Sequence, residues 1–116
     1  MQTTTRRAGA GLAVTLLLAA LACSEQDTAP RDPVAQGEVV YKNVCIACHN
    51  ADPAKPGALG PPIAGSSREL IAARVIHASY PEGYVPKQGG ALMPPLPHLE
   101  GSIDDLAAYL GQAGSP

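Results

Sequence analysis

Apolar side chains recur at steps of three and four in three stretches of the chain, and each step pattern predicts a helix. The first runs over about residues 33–44, where Gly37, Val40, Tyr41 and Val44 share one face. Asp32-Pro33 supplies its start, an N-cap followed by proline at the first helical position. The second covers about 67–78 and turns Leu70, Ile71, Val75 and the stem of Arg74 inward. Ser66 with Glu69 three positions later has the spacing of a capping box. The third covers about 103–112, with Leu106, Tyr109 and Leu110 on one face and Ser102 with Asp105 as its cap. Residues 50–65 hold four prolines and three glycines and read as loop, as does the stretch from Tyr80 to Pro97. No segment alternates like a strand and no repeat is visible. The pattern therefore predicts an all-α domain of three main helices joined by long Pro/Gly-rich loops.

Composition adds a difficulty. The chain has 116 residues, no Phe and no Trp, and its aromatics are Tyr41, Tyr80, Tyr84 and Tyr109. So short a chain with so few large side chains makes a thin core by itself, and long loops are uncommon in compact domains. A buried planar group would supply the missing bulk and order the loops from both sides.

The N-terminus reads as an export signal. Arg6 and Arg7 precede an apolar run, Ala8 to Ala22, that is too short for a comfortable membrane span. Ala20-Leu21-Ala22 is a small-x-small cleavage site, so residues 1–22 are expected to be a signal peptide and Cys23 the first mature residue. Leu21-Ala22-Cys23 also suits a lipoprotein signal, with Cys23 lipidated; simple secretion with a free thiol is the other reading. Residues 23–32 are polar and read as a tether, and 33–116 as the folded domain. This places the mature chain outside the cytoplasm, in the periplasm, and a lipid on Cys23 would tether it to the membrane. From Cys23 onward six basic side chains stand against ten acidic ones, a balance of −4, which argues against nucleic acid as a partner.

The candidate chemistry sits at Cys45-Ile46-Ala47-Cys48-His49. Two thiols three positions apart with an imidazole directly after the second form the attachment motif of c-type haem. The thiols can add to the porphyrin vinyl groups, and His49 can ligate the iron. A thiol–disulfide site is a second reading, but such a pair usually begins a helix in a strand-rich βαβ pattern, which is absent here. Half of a zinc site is a third, with only Cys23, His77 and His98 to complete it. Met93 is the sole methionine besides Met1 and lies 44 residues beyond His49 in Leu92-Met93-Pro94-Pro95. As a second axial ligand its soft thioether would raise the potential; otherwise it fills a gap in the core. His77 and His98 are rivals for that place.

These residues, in the order helix, Cys-x-x-Cys-His, Gly-Pro loop, middle helix, Met-Pro loop, last helix, resemble the class I cytochromes c. The resemblance spans about residues 33–111. It implies a cytochrome c fold around one covalent haem, attached through Cys45 and Cys48 and ligated by His49 and Met93. It implies that Gly37 and Tyr41 cross the face of Leu106, Tyr109 and Leu110. Gly60-Pro61 falls at the family's Gly-Pro, which implies that the Pro61 carbonyl accepts from the second nitrogen of His49. Ile63 and Gly65 continue that pattern. Arg68 lies about where the family has a propionate-binding arginine, a role open beside that of a solvated helix charge. Tyr80 or Tyr84 would be the aromatic beside the propionates. The implied function is electron transfer without bond chemistry, with a dehydrogenase, an oxidase or a respiratory complex as partner. A gas sensor or weak peroxidase with a labile Met93 is the other class, with His98 as acid–base candidate, and a fixed electron-wiring subunit a third. Lys42, Lys55 and Lys87 are too few for the lysine ring through which basic family members dock.

Overall fold

The computed structural model describes residues 30–88 and 93–116. The expected signal peptide, its cleavage site, Cys23 and all but the last residues of the tether lie outside the described residues. Three α-helices, α1 (Pro33–Val44), α2 (Arg68–His77) and α3 (Ile103–Ala113), form the domain. Among the described residues there is no strand, and no helix is long and apolar enough to cross a membrane. Two short 3₁₀ turns complete the path. Cys45–Ala47 continues α1, and Pro97–Ser102 leads into α3.

The first helix starts where its sequence dictates. The Asp32 carboxylate accepts from the Val34 N–H at 2.9 Å, and Pro33 gives up no hydrogen bond in the first turn. Gly37 then lets α3 cross at close range. A methyl group there would lie 2.6 Å from the Asp105 carbonyl carbon and 2.8 Å from Tyr109 Cβ. One turn on, Tyr41 is fully buried, with its ring tilted against Tyr109 at 5.4 Å between centroids. Ile103, Leu106 and Leu110 bury the inner stripe of α3, and Ile71 and Val75 that of α2. Leu99 closes the cluster from the 3₁₀ turn. Each such aliphatic side chain contributes about 1.5–3 kcal/mol on burial, and among the described residues seven buried apolar side chains carry the core.

Two caps differ from expectation. Ser67, not Ser66, caps α2: its hydroxyl accepts from the Leu70 N–H at 3.2 Å. The Ser66 hydroxyl turns back to donate to the Ile63 carbonyl at 2.7 Å. Periodicity cannot choose between adjacent serines; the turn before the helix does. The Ser102–Asp105 cap does not form. Ser102 makes no side-chain cap, and Asp105, 3% exposed, pairs with the Arg31 guanidinium across the α1–α3 crossing. A carboxylate that deep requires a partner, and the partner lies 74 residues away. Arg31 and Asp32, at the end of the expected tether, therefore work within the folded unit, which begins at Arg31.

The C-terminus of α2 ends in a left-handed residue, Ala78 (φ 50°), where glycine is more usual. Arg74 Nη1 donates to the Ala78 carbonyl at 2.7 Å, and the Ser79 N–H donates to the Ala73 carbonyl at 3.0 Å. These bonds hold the strained residue in place.

Candidate functional site

Between α2, α3 and the loops lies a cavity of about 340 Å³, within the roughly 300–1,000 Å³ range of sites that enclose a ligand. Val44, Ile63, Leu70, Ile71, Val75, Leu96, Leu106 and Leu110 make its walls mostly apolar. Cys45, Cys48, His49, Pro61 and Met93 also line it. Residues scattered over half the chain thus meet on one surface.

The 3₁₀ turn Cys45–Ala47 is what brings both thiols to the cavity. The His49 N–H donates to the Cys45 carbonyl at 2.9 Å, so the motif is one tight turn at the end of α1. Both thiols are free and half-buried. Burial pushes the Cys45 thiol up to about 11. A thiol–disulfide catalyst needs the opposite, a thiol pushed below its ordinary value by nearby cations or a helix N-terminus. Here the pair follows a helix C-terminus. The zinc reading also lacks its donors: among the described residues no three His, Cys, Asp or Glu side chains are grouped to hold a metal. His77 and His98 are exposed and do not line the cavity.

His49 is held by backbone. Its Nδ1 donates to the Pro61 carbonyl at 3.0 Å; that carbonyl can only accept, so Nδ1 carries the proton and Nε2 keeps its lone pair. Leu59 and Gly60 N–H groups donate to the Cys48 carbonyl at 3.1 and 3.0 Å, and Gly57 N–H donates to Gly60 at 2.9 Å. The loop therefore wraps the imidazole so closely that a methyl on Gly60 would sit 2.5 Å from Cε1 and 2.6 Å from Nδ1.

Met93 is half-buried, lines the cavity and packs on the core cluster. Just beyond it the Leu96 N–H donates to the Val75 carbonyl at 2.6 Å, tying the Met-Pro loop to α2. Arg68 lies elsewhere. It is exposed, donates through Nε to Asp104 at 2.5 Å, and does not line the cavity. Among the described residues the lining cations are Arg74 and Lys87, and no carboxylate lines the cavity. The Arg74 guanidinium lies 4.4 Å from the Tyr80 ring centroid, and Tyr80 stacks on Tyr84 at 5.4 Å. Both tyrosines line the cavity, stacked on one another. The Lys87 ammonium donates to the Pro62 carbonyl at 3.0 Å.

The donor set fits a haem: an apolar slot for the macrocycle, a histidine with one nitrogen engaged and the other available, a thioether, two thiols, and cations without carboxylates for an anionic edge. Three helices around such a slot define a small c-type cytochrome domain with the all-α cytochrome c fold. A family model described as "Cytochrome C oxidase, cbb3-type, subunit III" matches residues 32–110, and the chain belongs to that family of c-type cytochrome domains. Haem-based electron transfer is the activity this family membership carries. Searches among curated proteins and among solved structures gave no match.

Proposed function

We propose that this domain is an exported electron carrier with one covalent haem, attached at Cys45 and Cys48 and ligated by His49 and Met93. The convergence of those four side chains on one apolar cavity carries the proposal. The bound group supplies a one-electron iron centre whose potential the axial donors set. The chain's own part is to hold the donors still. The Pro61 carbonyl fixes the His49 tautomer and ring plane and increases the ring's basicity. The core contacts of Met93 and the Leu96–Val75 bond hold the thioether side. With protein donors at both axial places, no position is left for a substrate, so the domain transfers electrons and does no bond chemistry. The apolar walls exclude water from the centre.

The partners are redox proteins at the periplasmic face, a dehydrogenase, an oxidase or a respiratory complex, met through a small transient interface. Lipidation at Cys23 would confine that encounter to the membrane surface. The test is the visible spectrum of the mature protein, oxidised, reduced, and reduced under carbon monoxide. A c-type spectrum with the weak far-red sulfur-to-iron band, unchanged by carbon monoxide, is expected. Met93→Ala should abolish that band, lower the potential and open the site to carbon monoxide. A spectrum that already shifts with carbon monoxide in the unaltered protein would replace electron transfer with gas or peroxide chemistry. Mass analysis of the mature N-terminal peptide reads the state of Cys23.

A further inference from the structure

The Tyr41 hydroxyl is buried and sits outside the cavity, yet it donates at 2.5 Å to the carbonyl of Asn50, the residue that follows His49. Asn50 is itself pinned on both sides of its carboxamide. Its Oδ1 accepts from the Asp52 N–H at 2.9 Å, and its Nδ2 donates to the Pro56 carbonyl at 3.2 Å. From this root springs the loop that carries Gly57, Gly60 and Pro61 around the imidazole. A phenylalanine at position 41 would fill the same space between α1 and α3, so packing alone does not call for the oxygen. Nor does solubility, since Tyr41 is 0% exposed.

We propose that the Tyr41 hydroxyl and the Asn50 carboxamide are positioning groups for His49, joining the α1–α3 crossing to the loop whose Pro61 carbonyl orients the ring. Tyr41 touches neither the cavity nor the ring and acts only through Asn50. The inference rests on the reading of His49 as the haem ligand. Its sign follows from that geometry. Without the hydroxyl the loop root loosens, and the Nδ1–H···O=C bond to Pro61 opens more often. A less firmly bonded imidazole is less basic, donates less to the iron, and favours the reduced state.

The test uses the haem-loaded protein. Hydrogen exchange at His49 Nδ1–H, followed by nitrogen-15 NMR, and the midpoint potential are measured for Tyr41→Phe, Asn50→Asp and Tyr109→Phe. Asn50→Asp keeps the size of the side chain and the acceptor for Asp52 but removes the donor to Pro56. For both Tyr41→Phe and Asn50→Asp, exchange at Nδ1–H is expected to speed up about tenfold, as loss of one hydrogen bond allows, and for Tyr41→Phe, which adds no charge, the potential to rise. Tyr109→Phe alters the neighbouring ring without touching Asn50 and should leave both readouts unchanged. A Tyr41→Phe protein that melts earlier but keeps wild-type exchange and potential overturns the proposal, leaving the hydroxyl a purely structural group. A His49 variant that keeps the wild-type spectrum would instead overturn the ligand reading beneath it, so the two failures are told apart.

Discussion

Gly60→Ala is the sharpest probe of how the loop holds His49. The added methyl would lie 2.5–2.6 Å from two ring atoms, roughly 1 Å inside ordinary contact distance. The ring cannot simply retreat, because its Nδ1 is bonded to the Pro61 carbonyl at 3.0 Å, its backbone N–H donates to Cys45, and the preceding Cys48 carbonyl is held by Leu59 and Gly60. The loop cannot retreat without losing the Gly60–Cys48 or Gly57–Gly60 bond. Overpacking of this kind costs about 1–3 kcal/mol, and one lost hydrogen bond adds about 1 kcal/mol. The sum is about 2–4 kcal/mol, which in a domain of this size lowers the melting temperature by at least about 8 °C. Thermal unfolding of the haem-loaded protein, followed at the Soret band and by far-ultraviolet circular dichroism, measures it. Gly111→Ala is the matched control: at this exposed position of α3, a methyl meets nothing within 4 Å. It should stabilise by about 0.5–1 kcal/mol through helix propensity alone. If Gly60→Ala melts within a degree of the wild type while Gly111→Ala behaves as stated, the close wrap around His49 is not a constraint and the reasoning fails.

Arg31→Ala should cost about 1–3 kcal/mol in denaturant titration, because it strands the buried Asp105; the exposure of Arg31 keeps the figure below that of a fully buried pair. A chain starting at Pro33 should lose this and, with Asp32, the N-cap of α1 as well, about 1 kcal/mol more. Burial holds the Tyr41 phenol at about 12, above its ordinary 10.0. The folded state therefore binds that proton more tightly than the unfolded state. Its contribution is complete below pH 10 and is lost as pH rises toward 12; unfolding curves across that window should flatten in Tyr41→Phe.

The three helices were legible because each buries one stripe and the stripes recur at helical steps. The start of α1 could be read to the residue, since Asp32-Pro33 admits one reading. The starts of α2 and α3 could not. Adjacent Ser66 and Ser67 both suit a cap, and Asp105, apparently spaced for Ser102, answers to an arginine at the other end of the chain. Local signals cannot reveal a partner 74 residues away. The same limit applies at the site. Cys45, Cys48 and His49 announce themselves by adjacency, and Met93 by being alone. Arg68 is singled out by its place in the order of elements, yet the arginine on the cavity wall is Arg74, about 1.7 helical turns on and on the inner face. The inward stem of Arg74 was the available signal. The Tyr41–Asn50 bond left none, because a buried tyrosine in a helix pattern reads as packing.

The tightest helix pairing in the domain joins the first helix to the last, Gly37 against Asp105 and Tyr41 against Tyr109. Everything between, including the thiols, His49, Met93 and both proline-rich loops, is one closed circuit of chain. Closing a ring of that length is entropically slow but adds little cost per extra residue. The Gly65 N–H donates to the Leu110 carbonyl at 2.8 Å, so detaching α3 also frees the far end of the loop that wraps the imidazole. A change at Leu106 should therefore reach His49 through loss of the fold as a whole, whereas a change beside the ring acts also through local opening of its loop.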